Sequence, residues 1–375
     1  MNQQEIISAI ALTRISYFSL AEMLELFRRV GSAQEIVAHS QHIRDLLPDA
    51  NDRLVQAFAD ISQAQRFAES EFQTCESMGI RPLVMGSDDY PSRLLECPDA
   101  PLVLYYQGAA SLNQKRVVSI VGTRHSTTYG QDLIRRFMSD LRNLCPQMLV
   151  VSGLAYGIDI CAHREALAQG YETVAVLAHG LDDLYPPRHR QTADAMLQRG
   201  GLITEFPTGT RPDKMNFVRR NRIVAGMADA TLLVESAIHG GGLITTRIAN
   251  DYGRDVFAFP GAVGAPYSEG CNDLIRRHGA GLIMSAQHFV EAMGWETDAQ
   301  LSEAQAHGIE RQLFPELSAD EQRVVALLQR QNDLQINVLS VQTGIGVGPL
   351  TALLFSLEMK GVVRTMAGGT YHLLV

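Results

Sequence analysis

Residues 1–72 show a helical pattern of hydrophobic and polar positions. Apolar residues recur there every three or four positions, as expected when one face of a helix is buried. Positions with this spacing include Ile6, Ile7, Ile10, Leu20, Met23, Leu24 and Phe27. Gly31 interrupts the pattern, and Ser32 is a residue type that caps the helix after it. The pattern predicts a helical domain over 1–72.

From residue 80 to 293 the pattern changes to short apolar runs separated by amphipathic stretches. The runs lie at residues 102–106, 117–121, 148–152, 173–178, 202–204, 230–236 and 255–259. Strands that alternate with helices at this spacing form βαβ units and a mostly parallel sheet. Because the runs are apolar throughout, both faces of the sheet should be covered. We expect an α/β fold with a Rossmann-like domain over 80–293.

The C-terminal part follows a third pattern. Residues 294–312 are polar and lack structure signals, which indicates a linker. Over 313–375, helices are predicted at 320–330 and 348–360, and a short hairpin closes the chain. Helices followed by a hairpin are typical of a winged helix.

Composition narrows the class of protein. The net charge is −9, so binding to nucleic acid would require a local basic patch. The longest apolar run is shorter than the roughly 18 residues of a membrane helix, and the N-terminus lacks a basic signal-peptide region. Five cysteines without a C-x-x-C pair are typical of a reduced cytoplasmic protein. Cys161 and His163 have no second ligand pair near them, so we expect no metal site.

Two glycine-containing motifs follow predicted strands, at the edge of a doubly wound sheet where ligands bind. After one strand come Gly122, Thr123 and Arg124. The glycine permits close backbone approach, the following amides can bind a phosphate, and the arginine adds a charged donor fork. A tight turn with a surface arginine is the alternative. After the next strand, Gly153 begins a loop that suits an anion site and a structural turn equally.

A basic segment at 211–222 holds five arginines and lysines against one aspartate. Cations track a phosphate backbone, and an aromatic ring stacks on a base of any identity. The candidate DNA-binding residues of this segment are Lys214, Phe217, Arg219, Arg220 and Asn221. The alternatives are a buried phenylalanine at the start of a helix and a solvated helix face.

Three consecutive glycines, Gly240, Gly241 and Gly242, follow another predicted strand and lead into a helix. Such a loop offers backbone amides to a phosphate. A helix entry that needs close packing is the alternative. The chain has neither a Walker A nor a G-x-G-x-x-G motif and no recognisable nucleophile, so we predict no catalytic residue and no cofactor.

The ordered motifs resemble those of the DprA/Smf family of DNA-processing proteins. Between residues 117 and 283 the matching strings are IVGTRHSTTYG, VSGLAYGIDICAHREAL, LDDLYPPRHR, LITEFPTGTRPDKMNFVRRNRIVAG, GGGLITTRIANDYGRDVFAFPG and SEGCNDLIRRHGA. The resemblance implies an extended Rossmann fold that binds single-stranded DNA, protects incoming DNA in natural transformation and helps to load the RecA recombinase. The DNA-contacting residues that it implies are Arg124, Lys214 and Phe217, with Arg219, Arg220, Asn221 and Gly240–Gly242 beside them.

The resemblance extends to both flanking regions. The N-terminal region resembles the family's helix-hairpin-helix or SAM-like domain, and the C-terminal region resembles its winged-helix appendage. The recognition helix of this appendage carries one lysine and a broad leucine face, whereas reading duplex DNA normally needs several arginines or lysines. We expect packing or protein contact there. Family members act as homodimers, and the apolar residues predicted for that interface are Leu274, Ile275, Leu282 and Ile283.

An enzyme that acts on nucleotides is the second hypothesis. Phosphoribohydrolases also carry a glycine-rich loop, PGGxGTxxE, after a Rossmann strand. That motif needs a glycine at position 244 and an acid at position 248, where this chain has Ile244 and Ile248. The sequence therefore favours a non-catalytic, single-stranded-DNA-binding protein.

Overall fold

The computed structural model describes residues 2–15, 20–295, 317–332, 334–360, 362–366 and 370–373. The chain divides into two compact units, Met1–Trp295 and Glu296–Val375. The predicted linker at 294–312 lies outside the described residues from 296 onward.

The first unit begins with six helices. They are α1 (Gln3–Leu12), α2 (Leu20–Val30), α3 (Ala33–Ala38), α4 (Ile43–Leu46), α5 (Asp52–Ala59) and α6 (Ser62–Met78). Ser32 caps α3 as predicted, since its side chain accepts a hydrogen bond from the Glu35 amide. The buried Glu5 carboxylate of α1 accepts from the amides of Ala33 and Gln34 at 2.6 and 3.0 Å. These hydrogen bonds join α1 to the start of α3.

The helical region is continuous with the sheet that follows it. Apolar side chains of α1 to α6 belong to the same hydrophobic cluster as residues of the sheet. Glu71 on α6 accepts hydrogen bonds from the amide and hydroxyl of Thr208 at 2.8 and 2.6 Å. The helical region therefore runs to Met78, past residue 72, and forms part of one compact unit.

The sheet of the first unit contains nine strands within the described residues. They are β1 (Arg81–Val84), β2 (Val103–Gly108), β3 (Val117–Val121), β4 (Leu149–Ser152), β5 (Glu172–Val176), β6 (Gly201–Thr204), β7 (Ala230–Leu233), β8 (Asp255–Ala258) and β9 (Gly281–Leu282). Their order is β1-β2-β6-β5-β4-β3-β7-β8-β9. Only the pairs β1–β2 and β2–β6 are antiparallel, which confirms the predicted, mostly parallel α/β sheet.

Helices cover both faces of this sheet. They are α7 (Ser92–Leu95), α8 (Thr128–Leu144), α9 (Ile158–Ala168), α10 (Arg190–Arg199), α11 (Lys214–Gly226), α12 (Gly242–Asp251), α13 (Glu269–Arg276) and α14 (Ala286–Ala292). All residues of β3, β4, β6 and β7 are buried, as the uninterrupted apolar runs predict. Because β3, β4, β5 and β7 are parallel, the loops after them meet at one edge.

The second unit has the element order of a winged helix. Its helices are α15 (Ala319–Arg330), α16 (Ile336–Thr343) and α17 (Val347–Met359), and its strands are β10 (Leu334–Gln335), β11 (Val363–Met366) and β12 (Thr370–Leu373). The strands form an antiparallel sheet in the order β10-β12-β11. The predicted helices followed by a hairpin are confirmed.

One buried carboxylate ties the second unit together. Glu321 on α15 completes a capping box with Ser318 and accepts hydrogen bonds from Ser356 and Lys360 at 2.8 Å. Burial alone raises the pKa of Glu321, but the Lys360, Ser318 and Ser356 hydrogen bonds outweigh it and lower that pKa to about 2.

In the part of the chain that the structure describes, no single helix is both long and apolar enough to cross a membrane. Helices α16 and α17 meet that criterion only when joined across a bend of 109°. All five cysteines are free.

Candidate nucleic-acid interface

A cleft of about 760 Å³ lies at the carboxyl ends of the central strands. The loops after β3, β4 and β7 and the start of α11 form its walls. Of the twelve residues predicted to contact DNA, the eleven that line this cleft are Gly122, Thr123, Arg124, Gly153, Lys214, Phe217, Arg220, Asn221, Gly240, Gly241 and Gly242. Three loops and one helix start that are distant in sequence thus contribute to one concave surface, and the role of these residues in DNA binding stays a prediction.

The loop after β3 presents Arg124 to solvent. The Thr123 amide donates to the Glu235 carbonyl at 2.7 Å, and the Thr123 carbonyl accepts from the Ile158 amide at 3.1 Å. A Cβ on Gly122 would lie 2.6 Å from Ile158 and 2.8 Å from the Glu235 carbonyl oxygen, so a side chain does not fit there. Thr123 is buried and fixes the loop, while the Arg124 side chain is exposed at the cleft.

Arg220 forms the floor of the cleft. It is 4% exposed and donates to the carbonyl oxygens of Gly153, at 2.6 Å, and Val176. Burial lowers the pKa of Arg220 to about 10, although the nearby Asp159 carboxylate acts in the opposite direction. Burial likewise raises the pKa of Asp159, and Arg220 opposes this. Arg220 therefore remains a buried cation at neutral pH that holds the loop after β4 in place.

Phe217 is half-buried in the wall of the cleft. Its ring centroid lies 5.2 Å from the Arg124 guanidinium and 6.0 Å from that of Arg220. The Tyr185 ring, which is 43% exposed, lies 5.9 Å from it. Phe217 thus belongs neither to the hydrophobic core nor to a purely solvated helix face. Tyr185 is not among the residues predicted from the sequence, although an aromatic residue in the turn LDDLYPP after β5 is a signal for it.

Lys214 begins α11 at the mouth of the cleft. Asp213 caps the helix, because its carboxylate accepts a hydrogen bond from the Met215 amide at 2.8 Å. Among the described residues neither Lys214 nor Arg124 forms an ion pair. Both side chains are exposed, so two cations are available at one cleft.

The three glycines place the start of α12 at the same cleft. A Cβ on Gly242 would lie 2.7 Å from Leu233, and a Cβ on Gly240 would lie 2.2 Å from the Ser236 hydroxyl. Gly241 has open space around it. Close packing therefore explains two of the glycines, and the helix start beside them favours an anion through its unpaired amides and dipole.

Arg219 lies outside the cleft lining, although the sequence predicted it there. It pairs with Glu205 at 3.3 Å, and its guanidinium lies 5.4 Å from the Phe206 ring centroid. Arg222, from the same basic run, is buried and pairs with Glu205 at 2.5 Å. The basic segment therefore does not form one continuous patch, because its helix turns successive arginines in different directions.

The four residues predicted for a dimer interface have different environments. Leu274 and Ile275 are half-buried against the core, and Leu282 is 47% exposed on the edge strand β9. Ile283 is 1% exposed and packs in the core, so it has little surface to offer a second copy. The interface itself stays a prediction.

The cleft lacks the residues that the nucleotide-enzyme hypothesis requires at positions 244 and 248. Ile244 lines the cleft where the phosphoribohydrolase motif has glycine, and Ile248 stands where that motif has its acid. Asp159 is the buried carboxylate of the lining, and Arg220 neutralises it. The described ranges contain no group of three His, Cys, Asp or Glu residues placed to hold a metal ion.

The first unit has a Rossmann-like sheet with a basic, aromatic-walled cleft, and the chain also carries a winged helix. Together these features define a protein of the DNA-processing class. A family model for DNA recombination-mediator protein A matches residues 81–294, and one for the DprA winged helix domain matches residues 310–369. The chain therefore belongs to the DprA/Smf family.

Individual relatives agree with this assignment. The chain is 33% identical to Protein Smf of Escherichia coli over 336 residues, which cover 85% of this chain and 86% of that protein. The solved structure of DprA from Streptococcus pneumoniae superposes with a TM-score of 0.65 at 32% identity, covering 78% of this chain and 98% of that one. DprA from Helicobacter pylori, solved to describe its single-stranded-DNA binding mode, gives a TM-score of 0.52 at 26% identity, covering 57% and 95%.

Proposed function

We propose that this protein binds single-stranded DNA in the cleft at the carboxyl edge of its sheet. The observation that carries the proposal is the half-buried Phe217 ring beside Arg124, with Lys214 lining the same cleft. In this mode the two cations and the start of α12 hold phosphates, and Phe217 stacks on a base. The Helicobacter pylori relative, which is described as binding single-stranded DNA, supports the proposal.

The geometry favours a single strand over a duplex. Stacking on Phe217 needs an exposed base face, and bases inside a duplex stack on their neighbours instead. With a net charge of −9, the attraction for phosphate depends on local cations, and the exposed Arg124 and Lys214 line this cleft. Arg220 contributes indirectly, since its bonds to Gly153 and Val176 fix the loops that the strand contacts.

The test is a comparison of one oligonucleotide as a single strand and as a blunt duplex, over a series of salt concentrations. We expect tighter binding of the single strand, little dependence on its sequence, and an affinity that falls steeply with salt because bound phosphates release counterions. Equal affinity for both forms at every salt concentration would argue against the proposal.

Membership of the family supports three further elements of the proposal. The protein helps RecA to load on the bound strand during natural transformation, acts in the cytoplasm, and forms a homodimer through the edge near Leu282. Faster RecA filament formation on a protein-coated strand is the expected result for loading. Light scattering at micromolar concentration should give twice the monomer mass for the wild type and the monomer mass for Leu282→Asp. A monomer mass for the wild type would contradict the proposed dimer.

A further inference from the structure

A second cleft of about 420 Å³ lies next to the start of α8 and the loop that follows β8. Tyr129 and Tyr267 line it, together with Pro260 and Pro266. The Tyr129 hydroxyl donates to the Pro260 carbonyl at 2.7 Å, which fixes this ring against the loop. Flat, rigid and mostly apolar walls of this kind suit a planar aromatic ligand.

An aromatic pair joins the second cleft to the first. His125 lines the DNA cleft, and Tyr267 lines the second cleft. Their rings stack with centroids 6.2 Å apart and planes inclined by 27°. His125 directly follows Arg124, so the aromatic pair links the backbone next to a cleft cation with a wall of the second cleft.

The charge of the second cleft disfavours a phosphate. Glu235 is the one charged residue in its lining and is 3% exposed. Its carboxylate accepts hydrogen bonds from the amide and hydroxyl of Thr127 at 2.9 and 2.6 Å. A carboxylate repels a phosphate, but its remaining lone pairs accept from the N–H groups of guanine, cytosine or adenine.

We propose that the second cleft receives a nucleobase of the strand whose backbone lies in the first cleft, and that it prefers a base with an amino group over thymine. This inference rests on the proposed function, because it needs the strand to be held at Arg124 and Lys214. It adds a preference at one nucleotide position to binding that is otherwise indifferent to sequence.

The test compares a (dT)12 oligonucleotide with the same oligonucleotide carrying one central dG, using the full chain. We expect the dG to strengthen binding about fivefold or more, in line with a good base contact. Ala265→Phe fills the cleft and Tyr267→Ala removes one wall, so each should abolish this preference. Val263→Ala is the control, since Val263 is 99% exposed on the same loop and should leave the preference unchanged.

A second measurement does not depend on any variant. Photocrosslinking of the wild type to an oligonucleotide that carries 5-iododeoxycytidine should label Tyr267 or Tyr129, as mapped by mass spectrometry. Labelling confined to Phe217 and Tyr185 would overturn the inference.

The outcomes separate the two proposals. If Ala265→Phe and Tyr267→Ala both keep the dG preference while Arg124→Ala loses affinity, the proposal for the second cleft is wrong and the proposal for the first cleft stands. Wild type that binds neither oligonucleotide would remove the proposed function itself. A change in molar mass caused by Ala265→Phe, without a change in base preference, would show that a second copy of the chain covers this cleft instead.

Discussion

Helices α11 and α17 are both candidates for DNA contact, but they expose different kinds of side chain. Helix α11 begins with the exposed Lys214 and places Phe217 beside a guanidinium in a cleft. Helix α17 is the recognition helix of the winged-helix unit, yet it exposes Phe355 by 66% and Met359 by 74% and contains no lysine or arginine. Lys360, just after it, pairs with Glu321.

The difference shows that a winged-helix fold does not by itself indicate that a protein binds duplex DNA and recognises its bases. Contact with a phosphate backbone needs available cations, and base reading in the major groove needs polar side chains on the helix. The described residues of α17 offer an apolar face instead. We therefore propose that the first unit, rather than the winged helix, binds the DNA.

The largest effect is expected for Arg220→Ala, which removes the floor of the cleft. It leaves the Gly153 and Val176 carbonyls without their donor and the buried Asp159 without its compensating cation. We expect a loss of about 3–5 kcal/mol of unfolding free energy, measured by thermal or urea denaturation.

The matched control for Arg220→Ala is its neighbour, Arg219→Ala. The Arg219 side chain is 55% exposed, and the Glu205 side chain, which is 7% exposed, keeps its shorter pair with Arg222 when Arg219 is removed, so the change should cost less than about 1 kcal/mol. Equal stability losses in the two variants would contradict the structural role given to Arg220.

An intermediate effect is expected for Phe217→Ala. Since the ring is half-buried in the cleft wall, the variant should keep nearly the full melting temperature. It should lose about 1–3 kcal/mol of binding to single-stranded DNA. Phe217→Trp should retain binding, because every base offers a face for stacking. A large fall in the melting temperature of Phe217→Ala, with unchanged affinity of the folded fraction, would make the ring structural.

The smallest effect is expected for Phe355→Ser on α17. The ring is exposed, and the helix contains no lysine or arginine, so affinity for single-stranded DNA should stay within about twofold of wild type. Fluorescence anisotropy with a labelled oligonucleotide measures this. A loss as large as that of Phe217→Ala would place part of the DNA site on the winged helix.

The sequence predicts the sheet and most of the cleft for a clear physical reason. Buried parallel strands read as continuous apolar runs, and loops after parallel strands must meet at one edge. These two rules bring Gly122, Gly153, Lys214 and Gly240 together from separate motifs. The same rules miss β1 and β9, because the first contains Pro82 and the second has two residues.

The sequence does not predict the direction in which individual side chains point. Arg219, Arg220 and Arg222 form one basic run, but the first side chain is exposed, the second lies under the cleft and the third is buried in the protein. Ile283 lies beside the exposed Leu282 and faces the core. These directions depend on helix rotation and strand register, which tertiary packing fixes.

The second cleft also had no signal of its own in the sequence. It depends on Tyr129 and Tyr267 approaching from helices and loops that are about 140 residues apart. Tyr267 lies just before the matching string SEGCNDLIRRHGA, whose spacing alone indicates no function.

The most direct test of the central claim is the salt dependence of single-stranded-DNA binding by the full-length Arg124→Ala, Lys214→Ala double variant. Both cations line the cleft and are exposed, so we expect much weaker binding with the fold intact. We also expect the slope of log affinity against log salt to fall by about 1.4, since each single-strand phosphate contact contributes about 0.7. Wild-type affinity and slope in the double variant would contradict the claim that the strand lies in this cleft.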